Sequence, residues 1–316
     1  MNAGTFHALM RVRRRRLGKA GLKFTAAAAN SYVRLLGSTY QATFPTLYYS
    51  TDGQEWKPYT FSGRNGKKIT LSSVGDSVWL RGDNNRFSRS TEDYVYFNMS
   101  GSVKASGSVM SLVDSSGEAE GFRTSEGYDF YRLFYNCTAL AQAPELPAKS
   151  VPPHGYRGMF NGCTGLASAP SLPATVLSTY SYVGMFQGCT GLVSATVPAA
   201  AFGEMSYASM FYGCTSLSLV QFGYQSIRQE YMLTHFYNWL SGVSATGTFI
   251  VPDGSDLSAW PRGASGVPVG WTLRHVTEGI SEDAARHAAL VHGDWPMCGA
   301  APKTESEARH AALINQ

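Results

Sequence analysis

Cysteine is the residue type in this chain whose spacing could most readily do chemistry. Four of the five cysteines recur at intervals of 26, 26 and 25 residues: Cys137, Cys163, Cys189 and Cys214. Zinc sites pair their ligands a few residues apart, whereas these cysteines come one per interval with no recurring histidine. Side chains stacked in a ladder point in parallel, which is poor geometry for disulfides. We therefore predict four free thiols that fill equivalent apolar niches, and no metal site.

The remaining titratable residues do not form a catalytic or ligand-binding motif. Cys298 lies outside the series beside His292 and Asp294, a set too sparse to predict a metal site. The histidines show no pair around a glutamate, and neither a Gly-x-Ser-x-Gly motif nor a phosphate-binding glycine loop occurs. We expect a non-enzymatic protein without a cofactor. An enzyme acting on glycans is the least favoured alternative, since the repeats offer no obvious paired carboxylates.

The cysteines belong to a longer repeat, which must position them. An aromatic residue lies four positions before a phenylalanine in each copy, and leucine lies three positions after the cysteine. The phenylalanines are Phe134, Phe160, Phe186 and Phe211, and the leucines are Leu140, Leu166, Leu192 and Leu217. A fifth, degraded copy has Phe236 25 residues after Phe211, with Trp239 at the cysteine position. Such a terminal copy is expected to close a stack of repeats.

A repeat of this length predicts a solenoid in which every copy supplies one short strand and one helical or 3₁₀ turn. Tyr156, Met159 and Phe160 have helical spacing within "YRGMFNG", whereas "LASAPSLP" is extended and ends in proline. One copy alone cannot bury its phenylalanine and leucine. Stacked copies align like residues into a continuous core, which explains why the phrase recurs.

These residues resemble the BspA-type leucine-rich-repeat family of bacterial surface proteins and of phages or prophages of gut bacteria. The resemblance covers about residues 97 to 275, including "YNWLSGVSATGTF" and "WPRGASGVPVGWTL", which are similar to the family's C-terminal cap. It implies a leucine-rich-repeat solenoid that recognises or adheres to a partner without catalysis. We place the solenoid at 101–275, with a period of about 26 residues and its cap at 245–275.

The segment before the repeats predicts a small antiparallel β domain at residues 23–100. Short runs such as "KKITLSSVGDSVWLRG" and "DYVYFNMSG" alternate polar and apolar residues, with turn residues between them. "STDGQEW" predicts a hairpin with Asp52 and Gly53 at its turn. The expected fold class is mainly β, with this domain followed by a short leucine-rich-repeat solenoid and its cap.

The two ends of the chain differ in composition from the middle. Residues 1–22 predict a disordered basic arm, and "RVRRRR" within it could contact a virion or an anionic surface through Arg11–Arg16. Residues 276–316 predict an Ala-rich helical tail, because "EDAARHAAL" and "ESEARHAAL" carry helix and capping signals.

Charge distribution argues against a nucleic-acid-binding body. The formal net charge is +4, yet seven lysines and arginines lie in the first 23 residues, which contain no aspartate or glutamate. The rest has 19 basic and 22 acidic residues. No apolar run predicts a transmembrane helix or a secretory signal. We expect a virion-associated protein or one on the bacterial cell surface.

We predict that the solenoid presents a protein or glycan partner with one of two sets of residues. The exposed strand face is expected to carry small polar residues: Gln142, Glu145, Ser168, Ser171 and Ser194. The loops carry larger ones: His154, Arg157, Tyr180 and Gln187. A recognition or adhesion protein is the expected function, and a structural or receptor-binding component of a phage virion is the alternative.

Overall fold

The computed structural model of the protein describes residues 21–38, 43–116, 119–263 and 265–276. The predicted basic arm Arg11–Arg16, almost all of the Ala-rich tail, and Cys298 lie outside the described residues. The described part is mainly β and contains a β-solenoid of about 5 turns. The prediction of a mainly β fold built on a solenoid is confirmed.

The N-terminal part consists of ten strands in two largely antiparallel sheets. The strands are β1 (Leu22–Ala26), β2 (Ser31–Gly37), β3 (Leu47–Ser50), β4 (Lys57–Tyr59), β5 (Phe61–Ser62), β6 (Asn65–Gly66), β7 (Ile69–Leu71), β8 (Ser77–Gly82), β9 (Val95–Ser100) and β10 (Val103–Ser106). One sheet has the order β10-β1-β8-β3-β4, and the other joins β5-β6-β2-β7 with β9 on β2. Buried and half-buried residues alternate along β1, β2, β8 and β9, as expected for strands with one face in a core.

The predicted hairpin at Asp52 is present between β3 and β4. These strands pair antiparallel. The Asp52 carboxylate accepts hydrogen bonds from the backbone N–H groups of Gln54 and Glu55 at 2.8 and 2.9 Å. Its role is therefore to hold the turn.

The solenoid contributes eight strands that pair in parallel. They are β11 (Leu140–Gln142), β12 (Ser150–Val151), β13 (Val176–Leu177), β14 (Ser194–Val197), β15 (Ala201–Phe202), β16 (Leu219–Phe222), β17 (Gly247–Val251) and β18 (Trp271–His275). They form the sheets β12-β13-β15 and β14-β16-β17-β18, while β11 joins β10. Short helical pieces lie at Val109–Leu112, Gln229–Thr234 and Leu257–Ala259.

The segments predicted to form helical turns adopt a different structure. We call residues 128–137, 154–163, 180–189 and 205–214 the turn arms. Alternate N–H groups bond three residues back within an arm, as from Met159 to the carbonyl of Tyr156 at 3.1 Å. The others bond to the next arm, as from Phe160 to the carbonyl of Met185 at 2.8 Å. An arm is thus a run of turns shared with its neighbour, and the prediction of a helical or 3₁₀ turn is wrong.

Every fourth residue of a turn arm has a left-handed backbone, which a regular helix does not allow. In the second arm these residues are His154, Gly158 and Gly162, with φ of 57°, 61° and 76°. Helical spacing predicted the buried residues correctly because a four-residue turn returns to the same side nearly as often as a helix does. The backbone that carries them could not be derived from that spacing.

The phenylalanine and cysteine ladders lie in the core between the turn arms and the sheets. The ring centroids of Phe134, Phe160, Phe186 and Phe211 are 5.4, 5.4 and 5.5 Å apart in order, and the rings are within 8° of parallel. The four leucines of the repeat are buried as well. Stacking of like residues, as predicted, builds the core.

The core continues into the N-terminal sheets. Phe97 of β9 stacks on Phe134 at 5.1 Å, and its N–H bonds to the carbonyl of Leu133 at 2.7 Å. Phe24 of β1 packs on Phe97 at 4.8 Å. Strand β9 therefore occupies the place of a turn arm before the first one, so apolar packing continues from the predicted domain into the solenoid.

The fifth turn is aligned differently from the prediction. Backbone bonds run from Tyr207 to His235 and from Phe211 to Trp239, so Phe236 lies beside Tyr207 and Leu240 beside Phe211. The rings of Tyr207 and Phe236 are 4.7 Å apart and stacked. The assignment of Phe236 to the phenylalanine ladder and of Trp239 to the cysteine position is wrong. The reason is extra chain, including the helix Gln229–Thr234, which lengthens this turn.

Candidate functional site

The four repeated cysteines are free, buried thiols. Each thiol donates to the phenylalanine carbonyl of the preceding turn, as from Cys189 to Phe160 at 3.0 Å and from Cys214 to Phe186 at 2.9 Å. Cys137 uses Phe97 in the same way. Burial raises the pKa of the Cys214 thiol to about 12, and raises those of the other three as well. These thiols are hydrogen-bonded core residues and not nucleophiles. Among the described residues, no three His, Cys, Asp or Glu side chains converge as metal ligands would.

The first predicted set of ligand residues lies on the sheet side of the solenoid. Gln142, Glu145, Ser168 and Ser171 are exposed, and Ser194 is half-buried. Ser168 and Ser194 are neighbours across a parallel bridge, and Glu145 bridges to Ser108. The backbone pairing therefore places Ser168 beside Ser194, and the five side chains of this set are polar and at least partly exposed.

Two residues of the second set, His154 and Tyr180, form a stack on the turn arms with Tyr128, which holds the same repeat position in the first arm. The rings of Tyr128 and His154 are 4.3 Å apart and 11° from parallel, and those of His154 and Tyr180 are 5.0 Å apart and 13° from parallel. All three residues have positive φ, between 57° and 65°. This conformation costs an ordinary residue about 1 kcal/mol or more. Strained residues of this kind often mark functional sites.

Arg157 ties the stack to its surroundings. Its Nη1 lies 3.1 Å from Nδ1 of His154, and its guanidinium lies 5.7 Å from the Tyr180 ring. Burial, together with the charge of Arg157, lowers the pKa of His154 to about 4. Near neutral pH the imidazole is therefore uncharged, and Nδ1 accepts the hydrogen bond from Arg157.

The first turn arm adds residues that the sequence analysis did not select. Arg132 lies over the rings of Tyr131 and Tyr135, at 5.2 and 4.7 Å, and is hydrogen-bonded to Tyr94. The Tyr94 and Tyr131 rings meet edge to face at 5.1 Å. Arg132 could have been identified from its place in the repeat, because it lies one residue after the position that corresponds to Arg157 and takes the place of Gly158.

Strands β2 and β9 extend the same surface. Arg34 donates from Nε to Oδ1 of Asn98 at 2.9 Å, and the Tyr32 hydroxyl donates to the same oxygen at 3.0 Å. Lys68 lies 4.3 Å from the Tyr32 ring. Tyr96 connects this group to the arms, because its ring lies 5.7 Å from that of Tyr94.

We name this surface the tyrosine–arginine strip. Its members are the stack on the arms, the arginine group and the extension on the strands: Tyr128, His154 and Tyr180; Tyr94, Arg132, Tyr135 and Arg157; and Tyr32, Arg34, Lys68, Tyr96 and Asn98. Tyr131 contacts Arg132 and Tyr94 but is only 3% exposed, so it is not a member. Gln187 does not reach it, since its side chain accepts a hydrogen bond from Asn161 at 3.1 Å further along the arms. The strip unites His154, Arg157 and Tyr180 of the prediction and separates Gln187 from them.

The charges of the strip are all positive. Arg34, Lys68, Arg132 and Arg157 form no ion pair within the described ranges, where the ion pairs involve other basic residues. Guanidinium groups free of a carboxylate bind anions through paired N–H donors. Tyrosine and arginine are also the residue types most enriched at binding hot spots. The strip can therefore bind a ligand that offers acceptors and negative charge.

One unusual carboxyl lies beneath this surface. Asp129 is 2% exposed, and its Oδ1 accepts a hydrogen bond from the N–H of Phe87 at 2.9 Å. Its Oδ2 and the buried hydroxyl of Tyr156 have no hydrogen-bond partner among the described residues. Burial raises the pKa of the Asp129 carboxyl to about 6. Since solvent does not reach it, we treat Asp129 as a source of pH-dependent stability and not as part of the surface.

In the described part of the chain, no helix is long and apolar enough to cross a membrane. Comparison of the whole sequence with protein-family models, with curated proteins and with solved structures finds no match.

Proposed function

We propose that this protein is a non-enzymatic recognition protein that binds its partner, a protein or a glycan surface, through the tyrosine–arginine strip. The observation that carries the proposal is the concentration of arginine without a carboxylate partner among tyrosine rings on one side of the solenoid. Binding energy at protein surfaces concentrates in such residues.

The sheet side is the weaker candidate for the same function. Its predicted residues are mostly serine, which supplies little contact area, and hot spots favour tryptophan, tyrosine and arginine. We therefore propose the sheet side as a scaffold surface. Assignment of the chain to the BspA-type leucine-rich-repeat family is likewise a proposal, supported by the repeat and by the solenoid architecture.

The test compares two arginine pairs in the full chain. Arg132→Gln with Arg157→Gln removes two charges from the strip. Arg228→Gln with Arg274→Gln removes two exposed arginines elsewhere and is the matched control. Labelled chains are applied to an array of microbial and animal glycans and to a panel of purified surface proteins.

We expect at least one immobilised partner whose affinity falls roughly tenfold or more in the strip variant and little in the control, because each charged hydrogen bond lost has about that effect. Circular dichroism must show that both variants are folded. Equal binding by the strip variant and the control on every partner would refute the proposal.

The alternative function is a virion component whose basic arm anchors it while the solenoid faces outward. The run of basic residues Arg11–Arg16 supports it. Mass spectrometry of cytosol, envelope, medium and particle fractions of the source culture tests it. Concentration of this chain's peptides in particles would favour the virion, and recovery on intact cells would favour an adhesin.

A further inference from the structure

We infer that the ligand of the tyrosine–arginine strip is an anionic polysaccharide that lies along the solenoid axis. The inference rests on the proposed function and names the class of ligand. It is drawn from the sign of the charges, the direction of the strip and the way its aromatic rings are used.

The sign of the charges requires an anion. The strip contains four cations and no carboxylate among its members, although beyond the first 23 residues the chain has more acidic than basic residues. No ion pair neutralises these cations in the described residues. Arg132 is hydrogen-bonded to Tyr94 and Arg157 to His154, and both partners are uncharged, so a sulfate or carboxylate group would supply the negative charge that the two guanidinium groups lack.

The direction of the strip suits a linear polymer. It crosses five neighbouring segments that are hydrogen-bonded side by side: β2, β9 and the first three turn arms. At the usual spacing of adjacent strands, this gives a length of about 20 Å. The cations lie on several of these segments, with Arg34 on β2, Arg132 on the first arm and Arg157 on the second, which fits a ligand that carries several charges along its length.

The aromatic rings argue against a nucleic acid. Single-stranded nucleic acids bind by stacking bases on open aromatic faces. Here Tyr128, His154 and Tyr180 stack on one another at 4.3 and 5.0 Å, which leaves no room for a base between them. Each guanidinium has more N–H donors than the bonds of Arg132 to Tyr94 and of Arg157 to His154 use, and the other donors suit sugar hydroxyls and acidic substituents.

The shortage of apolar surface argues against a protein partner. Protein interfaces usually bury an apolar centre within a polar rim. The large apolar and aromatic side chains that are exposed among the described residues all lie outside the strip, whose own tyrosine rings are half-buried. The polar alternative, a chain of acidic sugars, needs no such centre.

The experiment measures binding of the full chain to four probes: dextran sulfate, polygalacturonate, neutral dextran and poly(dT). Because Arg13–Arg16 would themselves attract polyanions, each variant is also made in a background where these four arginines are glutamine. The variants are Arg132→Gln with Arg157→Gln and the control Arg228→Gln with Arg274→Gln.

In the background where Arg13–Arg16 of the basic arm are glutamine, we expect dextran sulfate or polygalacturonate to bind and neutral dextran not to bind. The strip variant should lose roughly 10- to 100-fold in affinity, and the control less than about threefold. Binding should weaken steeply as salt is raised. The better of the two polyanions identifies sulfate or carboxylate as the recognised group.

Four results would overturn the inference. Loss of all polyanion binding when only Arg13–Arg16 are changed to glutamine would assign that binding to the N-terminal basic arm. Strip-dependent binding of poly(dT) without the polysaccharides would make a nucleic acid the ligand. Strip-dependent binding to an immobilised protein without polyanion binding would refute the polysaccharide but leave the proposed function standing, whereas no strip-dependent binding to any partner would refute both.

Discussion

The turn-arm side and the sheet side of the solenoid are built from the same repeats, yet they differ in what they present to solvent. On the sheet side, small polar residues such as Ser168 and Ser171 are exposed. On the turn-arm side, left-handed residues every four positions turn large side chains outward, and the first three arms carry Tyr128, His154 and Tyr180 there.

The difference shows that a repeat can keep its core constant while the side chains on one outer side vary in size and charge. At repeat positions that face the core, the choice of residue type is restricted, because each residue stacks on its counterpart in the next turn. At the outward-facing repeat positions of the sheet side, most of the predicted residues are serines with small side chains. Outward columns of the arms vary from tyrosine and arginine near the N-terminal sheets to glycine further on, as from Arg132 to Gly158 and Gly184.

The largest expected effect concerns the core that both sides share. Phe186→Ala should destabilise the protein by about 3 to 5 kcal/mol, because the ring is fully buried between Phe160 and Phe211. Reversible urea unfolding measures the change, with the exposed Thr190→Ala as the nearby control that should cost less than about 0.5 kcal/mol. A loss below about 1 kcal/mol for Phe186→Ala would contradict the stacked core.

The next effect concerns the pH dependence of stability that the buried carboxyl of Asp129 causes. The pKa of Asp129 is raised from 3.8 to about 6, so its contribution to stability is present below pH 4 and is lost as the pH rises through 6. Asp129→Asn should therefore stabilise the protein at pH 7.5 by up to about 3 kcal/mol relative to its effect at pH 4.

Urea unfolding of both proteins at the two pH values measures this difference. The wild type alone cannot do so, because the pKa of His154 is lowered and its contribution is lost in the opposite direction, as the pH falls from 6.5 through 4. An equal effect of Asp129→Asn at pH 4 and 7.5 would mean that the carboxyl does not titrate in this range.

A smaller effect concerns the buried cysteines of the solenoid core. Cys189→Ala removes a thiol that bonds the carbonyl of Phe160, and should cost about 1 to 2 kcal/mol. The exposed neighbour Thr190→Ala is the control, with a change below about 0.5 kcal/mol. In a Cys298→Ser background, the four remaining thiols should react with a thiol reagent only as the protein unfolds. Rapid reaction of the native protein would disprove their burial.

The smallest effect sharpens the contrast between the sides. Tyr180→Gly relieves a left-handed tyrosine with φ of 59° but loses its contact with His154, so the change in stability should stay below about 1 kcal/mol. Ser194→Ala on the sheet side should be equally mild. Only Tyr180→Gly should weaken binding to the partner found for the strip. Matching losses of binding in both variants would remove the distinction between the sides.

The sequence by itself determined the solenoid, its period and the residues of its inner ladders, because stacking requires the same side chain in every turn. It also determined that Cys137, Cys163, Cys189 and Cys214 occupy equivalent positions, and that the segment before the repeats forms antiparallel strands. It selected His154, Arg157 and Tyr180 as surface residues because they vary within a constant repeat.

Only the tertiary structure decided how these residues meet. The left-handed backbone of the arms follows from hydrogen bonds shared between turns, which a local pattern does not contain. Phe97 of β9 extends the phenylalanine ladder by one residue, and Phe236 stacks on Tyr207. Both follow because backbone pairing between distant segments sets which residues are adjacent. The strip arises for the same reason: Arg34 and Tyr96 are far from Arg157 in the chain and join it only where β9 packs against the first turn arm.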